Sequence, residues 1–457
     1  MPILAPQNET VTTMNSNATP GRNPYFLPFA LTCSLFFLWG IANSLNGSLV
    51  RQFQTALDLS RAQAGFVDSA FYLGYFVFAI PAGIFIRRYG FKKGILAGLL
   101  LYAGGALLFY PAAGVRVYAF FLFALFTIAC GLAFLETAAN LYVTVLGDKK
   151  DAAWRINFAQ SFNGISIILG PAIGSFFIFS GADYSNEQLK AMPLEQSEPI
   201  RIAEALATRG PYLALAGVVL LAALVFWLSK LPEVGREDEN TEPSKSLGQL
   251  LASIPGLLSK HRHLALGVLA QFANVGAQVT LWSYFVDLKM GFSNEGHLGI
   301  VQSIYPLEGK NLKQIAGFHA SFAMALFMLG RFLGTFLMGR FEARRVMGWY
   351  SMGALLLVVL AWFTGGLTAV ICVMLTYFCQ SIMFPTIFAL STKGLAPADS
   401  KLASSLVIMS IVGAAILPPL GGWLSHIELR YLLIVPFFCF GFVVYYALRG
   451  YREQSAV

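Results

Sequence analysis

Spans of about 20 apolar residues recur along the chain, separated by short polar segments. A helix of that length crosses the roughly 30 Å hydrocarbon core of a bilayer. The pattern predicts twelve such spans, at approximately 25–50, 62–86, 93–111, 117–146, 157–180, 211–229, 262–289, 316–339, 346–365, 367–392, 402–424 and 429–448. An even count places both termini on one side. The fourth span, Tyr118 to Leu146, is uncharged except for Glu136 near its middle. An ionised carboxylate at that depth costs on the order of 3 kcal/mol, so such residues usually line a cavity and work there.

Composition supports the membrane reading: 57% of residues are hydrophobic, 12% are charged and the mean hydropathy is +0.65. Soluble domains carry roughly twice that charged fraction. A net charge of +8 raises the question of nucleic acid, but its distribution answers it. With the N-terminus inside, 20 of the 31 Lys and Arg residues fall in inner segments, 10 in outer loops, and Arg331 inside a span. This follows the positive-inside rule and predicts a multi-pass protein with cytoplasmic termini and no nucleic-acid partner. The five cysteines all fall in apolar spans without metal-ligand spacing, as small core residues do. Residues 1–23 lack a basic start and a cleavage site and are expected to be a polar tail. The five histidines form no metal-binding pattern and are expected at interfaces.

The most charged segment, 231–260, separates spans 6 and 7. The expected organisation is a six-helix half over 24–230, a cytoplasmic linker over 231–260, a second six-helix half over 261–449 and a tail over 450–457. A weak repeat supports the division, since Gly74, Gly83 and Arg88 recur at a constant offset as Gly330, Gly339 and Arg344. The basic turns after spans 2 and 8 are expected either to hold the halves together through charge clusters or simply to anchor the spans. Gly181 to Arg209 has the composition of a helical outer cap. Pro418-Pro419 with Gly421-Gly422 should bend span 11.

Polar side chains cluster in four spans. Span 1 carries Asn43 and Asn46, span 4 Glu136 and Asn140, span 5 Gln160 and Asn163, and span 7 Gln271, Asn274, Gln278 and Trp282. Amides donate and accept, which matches the hydroxyl ring of a sugar. Intervals of four place Asn274, Gln278 and Trp282 on one helix face, where amides and an aromatic ring together suit a sugar. The alternative for each amide is interhelical hydrogen bonding, worth about 0.6 kcal/mol on average. No nucleophile and base pair or metal triad suggests an enzyme.

These segments resemble the fucose/glucose-galactose symporter branch of the major facilitator superfamily. The resemblance rests on Phe29 to Asn43, Ser69 to Phe76, Leu135 to Asn140, Ala159 to Asn163, Gly276-Ala-Gln278 with Trp282-Ser-Tyr284, Gly330-Arg331-Phe and Phe384 to Phe388. It implies an all-α membrane protein of twelve transmembrane helices in two six-helix halves. It also implies alternating access and proton-driven import of a monosaccharide across a bacterial inner membrane by a monomer among lipids, without a cofactor. By the same resemblance Glu136 is the protonatable carboxylate, Gln160 and Asn163 are sugar ligands, Trp282 is an aromatic wall, and Arg331 holds a nearby carboxylate ionised.

One departure matters. Where the family continues Asn-Asp in span 1, this chain has Asn46-Gly47, so a second proton-linked carboxylate is missing; Arg51 also replaces a proline. Asp68, at comparable depth in span 2, is the candidate replacement, against the alternative of an interfacial Asp with no coupling role. L-fucose or a related 6-deoxyhexose is the favoured substrate, ahead of glucose, galactose or an N-acetylhexosamine. Competing readings are an uncoupled sugar uniporter or exchanger, sodium coupling, and a nontransporting sugar sensor.

Overall fold

The structure, a computed structural model, describes residues 25–59, 63, 66–177, 186–232, 247–293, 299–304 and 312–450, and every regular element among them is helical. The first half comprises helix 1 (Phe26–Ala56), helix 2 (Phe66–Tyr89), helix 3 (Phe91–Val115), helix 4 (Tyr118–Val145), helix 5 (Ala152–Phe177) and helix 6 (Arg209–Leu228). The second comprises helix 7 (Arg262–Ser283), helix 8 (Leu312–Met338), helix 9 (Ala343–Phe363), helix 10 (Gly366–Thr392), helix 11 (Pro397–Ser425) and helix 12 (Leu429–Gly450). Ten described helical stretches are long and apolar enough to cross a membrane, and helix 1 adds the shorter apolar run Phe26–Ala42. The span pattern thus reads through to the architecture.

Within the first half, helix 4 packs on helices 2 and 3, helix 1 on helix 5, and helix 3 on helix 6. Small residues permit these approaches. A Cβ on Gly74 of helix 2 would fall 2.7 Å from Cβ of Ala129 in helix 4, and one on Gly330 of helix 8 would fall 2.3 Å from the Phe378 carbonyl in helix 10. Helices 2 and 4 correspond to helices 8 and 10, so this member of the sequence repeat marks equivalent contacts in the two halves. Helix 2 passes into helix 3 through Gly90 alone, at φ 88°, a left-handed conformation that glycine adopts without a Cβ clash.

We call the face where helix 1 begins and helix 12 ends the basic face, after the Arg87-Arg88 and Lys92-Lys93 turn it carries. The halves meet toward this face. Asn157 Nδ2 of helix 5 donates to Thr386 Oγ1 of helix 10 at 3.1 Å, and Ser404 Oγ of helix 11 donates to the Thr137 carbonyl of helix 4 at 2.8 Å. Gly83 of helix 2 abuts helix 11, where a Cβ would lie 2.6 Å from Ser405 and 2.9 Å from the Lys401 carbonyl. Lys401 Nζ lies 5.4 Å from the centroid of the Phe91 ring in helix 3.

The described ion pairs and hydrogen bonds of the basic turns are local rather than bridges between halves. Lys92 Nζ donates to the carbonyls of Trp227 and Ser229 at the end of helix 6, at 2.8 Å each. Arg344 and Arg345 both pair with Glu342 at 3.3 Å. On the opposite face, short helices Asn186–Ala191 and Leu194–Ala207 form the cap expected from the sequence. Asp58, in the left-handed region at φ 54°, pairs there with Lys190 at 3.2 Å and Arg201 at 3.5 Å.

In helix 11 the change of helix type falls at the 3₁₀ turn Ser410–Val412, while Gly413–Ser425 stays α-helical through Pro418 and Pro419. Gly413, directly after that turn, packs closely on helix 7, where a Cβ would lie 2.3 Å from the Phe272 carbonyl. His319, in helix 8, is fully buried, its Nδ1 2.8 Å from the Ile315 carbonyl. His297 lies outside the described residues.

Candidate functional site

Glu136 lies in helix 4 nine residues before its end at Val145, about 13 Å from the basic face at 1.5 Å per residue. That is near the middle of the hydrocarbon core. The residue is 6% exposed, and its Oε2 is buried with no hydrogen-bond partner among the described residues. One turn further along, Asn140 is fully buried; its Oδ1 accepts from Gln160 Nε2 of helix 5 at 3.1 Å, while its Nδ2 has no partner among the described residues. Asn163, also in helix 5, donates through Nδ2 to the Phe36 carbonyl of helix 1 at 3.3 Å. Asn140 and Gln160 are thus brought together one turn from Glu136, while Asn163 bonds to helix 1.

Arg331 joins this group to the second half. It sits seven residues before the end of helix 8 and is 4% exposed. Its Nη1 donates to the main-chain carbonyl of Gln160 at 2.7 Å, and its Nε to the carbonyl of Ser381 in helix 10 at 2.9 Å. The second acceptor follows from covalent structure. Helix 10 is interrupted between Gln380 and Met383, and Pro385, four residues beyond Ser381, has no N–H to satisfy that carbonyl. The guanidinium takes the acceptor that proline leaves free.

Among the described residues no ion pair within 4.0 Å joins Arg331 to Glu136, and both arginine bonds in this network go to carbonyls. Gln160 carries both links of this group: its side chain reaches Asn140, one turn from Glu136, and its main-chain carbonyl reaches Arg331.

In the second half, Trp282 stacks on Tyr377 with centroids 5.8 Å apart and meets Phe327 edge-on at 5.3 Å. Phe327 in turn lies 4.7 Å beneath the Arg331 guanidinium. A continuous path of contacts runs from Trp282 through Phe327 and Arg331 to Gln160 and Asn140. Asn274 is fully buried with neither side-chain polar atom partnered among the described residues, whereas Gln278 and Trp282 are half-buried. Gln271 donates to the Phe384 carbonyl at 3.4 Å. Buried polar groups are normally satisfied. Atoms of Glu136, Asn140, Asn274 and the Trp282 Nε1 are buried here without partners among the described residues.

Sequence reasoning missed Gln380 and Arg155. Gln380 is buried at the break in helix 10 with Oε1 unpartnered among the described residues, and its position before Ser381 and Pro385 was the available signal. Arg155 closes the end of helix 4, donating to the carbonyls of Val143, Thr144 and Asp148 at 2.7 to 3.0 Å. A cation there complements the helix dipole and fixes the helix that carries Glu136. The side chains of Asn43, Asn46 and Asp68 lie outside the described residues.

Comparison with known proteins places the chain. The Major Facilitator Superfamily model matches residues 29–308. The chain is 38% identical to the L-fucose-proton symporter of Escherichia coli strain K12, over 98% of each chain. It is 32% identical to the glucose/galactose transporter of Brucella abortus, over 93% of this chain and 95% of that one. Crystal structures of FucP, the E. coli fucose:proton symporter, match with a TM-score of 0.82 at 37% to 38% identity, over 93% of this chain and 98% of theirs; one is in the outward conformation. The chain belongs to the Major Facilitator Superfamily, in the branch that holds these fucose and glucose/galactose transporters.

Proposed function

We propose that the protein is a secondary active transporter that imports a monosaccharide by alternating access, coupled to a proton through Glu136. The observation that carries this reading is the buried Oε2 of Glu136, unpartnered among the described residues and one turn from the Asn140, Gln160 and Arg331 network that crosses between the halves. An ionised carboxylate so placed is costly, and a proton removes the charge. Sugar hydroxyls then compete for Asn140 and Gln160. Because the Gln160 main chain is also the acceptor for Arg331, disturbing this residue disturbs a contact that holds the halves together.

The same reading makes the described arrangement the outward-facing one, with the halves joined on the basic face and that face cytoplasmic. Asn43, Asn46, Asn140, Gln160, Asn163, Asn274, Gln278 and Trp282 form the sugar site, Arg331 its charged bridge, and Asp68 the substitute for the carboxylate that Gly47 lacks. The halves divide at the 231–260 linker, and the protein works as a monomer in the bacterial inner membrane. L-fucose or a related 6-deoxyhexose is the favoured substrate, in keeping with the 38% and 34% identities to L-fucose-proton symporters. Gly47 supports one second reading, an uncoupled uniporter or exchanger, since glycine cannot titrate.

Counterflow of a sugar panel in proteoliposomes, repeated with an imposed pH gradient, tests both readings. Exchange with gradient-driven accumulation is expected. Exchange without accumulation selects the uniporter, and absence of exchange with every sugar rejects transport.

A further inference from the structure

A cavity lies on the basic face, apart from the Glu136 and Arg331 group. It has a volume of about 650 Å³ and is lined from both halves. Thr144, on its wall, is eight residues from Glu136 along helix 4, so the two sites are about 12 Å apart along that helix. Its cations come from separate segments: Lys150 from the helix 4 to 5 connection, Arg344 from the start of helix 9, and Lys393 and Lys401 from the helix 10 to 11 region. Glu342 is the one carboxylate on its lining among the described residues and pairs with Arg344 and Arg345, and Asp148 beside the lining pairs with Lys150 at 3.3 Å. Phe91, Trp154 and Phe341 supply apolar wall.

We propose that this cavity binds an organic phosphate, a phosphomonoester attached to a compact body, and that binding holds the two halves together on the basic face. A phosphomonoester carries roughly 1.5 to 2 negative charges at neutral pH and offers three acceptor oxygens. Lysine ammonium groups bind phosphate as point charges; Lys393 and Lys150, whose exposed ion pair with Asp148 at 3.3 Å leaves it within reach of a second anion, line the cavity from opposite halves. The aromatic wall covers the attached body. Separation of the halves pulls these lysines apart and destroys the site. A ligand that binds only the joined arrangement shifts the population toward it and slows the transport cycle.

The first test reads binding without flux, so that its failure is distinct from failure of the transport reading. Purified protein is titrated with glucose 6-phosphate at fixed ionic strength and followed by thermal unfolding, for wild type, Lys150→Gln/Lys393→Gln and Lys150→Arg/Lys393→Arg. The expected result is saturable stabilisation of wild type and the arginine variant, with at least ~5-fold weaker affinity in the glutamine variant. No stabilisation of wild type, or equal affinity in the glutamine variant, overturns the proposal for a soluble phosphate.

The lipid source is tested by counterflow in vesicles of phosphatidylcholine with and without phosphatidic acid. Slowing by phosphatidic acid in wild type but not in the glutamine variant assigns the site to a headgroup. If neither arm distinguishes wild type from the glutamine variant, the cavity is not a phosphate site.

Discussion

Nη1 of Arg331 donates to the main-chain carbonyl of Gln160 at 2.7 Å, across the boundary between the two six-helix halves. The same guanidinium holds the Ser381 carbonyl, which Pro385 leaves without its helical donor. One side chain therefore satisfies the break in helix 10 and fastens that helix to the helix carrying Gln160.

Arg331→Lys keeps the charge but loses the fork that reaches two carbonyls at once. Leaving one buried carbonyl unsatisfied costs about 1 to 3 kcal/mol. The expected outcome is a lower melting temperature and counterflow reduced at least ~10-fold. A variant with wild-type counterflow would show that the two-carbonyl bridge is dispensable.

Gly83→Ala should loosen the basic-face seam, because the added Cβ would lie 2.9 Å from the Lys401 main-chain carbonyl, which cannot yield as a flexible side chain would. In a background lacking the native cysteines, Thr386→Cys should be alkylated at least ~3-fold faster when Gly83→Ala is present. Gly104→Ala is the control, since the methyl it adds would meet no neighbouring atom within 4 Å. It should leave the labelling rate unchanged.

The outer cap has its own pH dependence. The Arg116 hydrogen bond at 2.5 Å holds the Glu198 carboxyl below the ordinary carboxylate value. A depressed value contributes stability above the unfolded value, near 4.3, and that contribution is lost as pH falls through the lower folded value. Between pH 5 and 8 the pair stays ionised. Glu198→Gln should therefore leave the pH profile of transport in that range unchanged, and should flatten only the acid limb of a melting-temperature profile.

Asp68→Asn tests the relocated carboxylate. If Asp68 replaces the group missing at Gly47, the variant exchanges sugar but accumulates it poorly under a pH gradient. Undiminished accumulation rejects relocation.

The spans were legible because membrane-crossing helices must be long and apolar, and Glu136 because a charge stands out in such a span. Asn140 and Gln160 were legible as amides near one another in adjacent spans. The partner of Arg331 was not. Its acceptors are main-chain carbonyls, which every residue possesses, and only the spacing of Ser381 and Pro385 hints at one of them. The Gln160 carbonyl carries no sequence signal, since the contact depends on how helices 5 and 8 meet. The close approach of Gly413 to the Phe272 carbonyl is likewise a tertiary fact with no local signal.

Glu136→Gln gives the most direct test of proton coupling, because it removes the titratable group while keeping a side chain of similar shape. Counterflow and pH-gradient-driven accumulation are measured on the same proteoliposomes. Counterflow should persist within a few-fold of wild type while driven accumulation is abolished. Accumulation at the wild-type level would contradict coupling through Glu136.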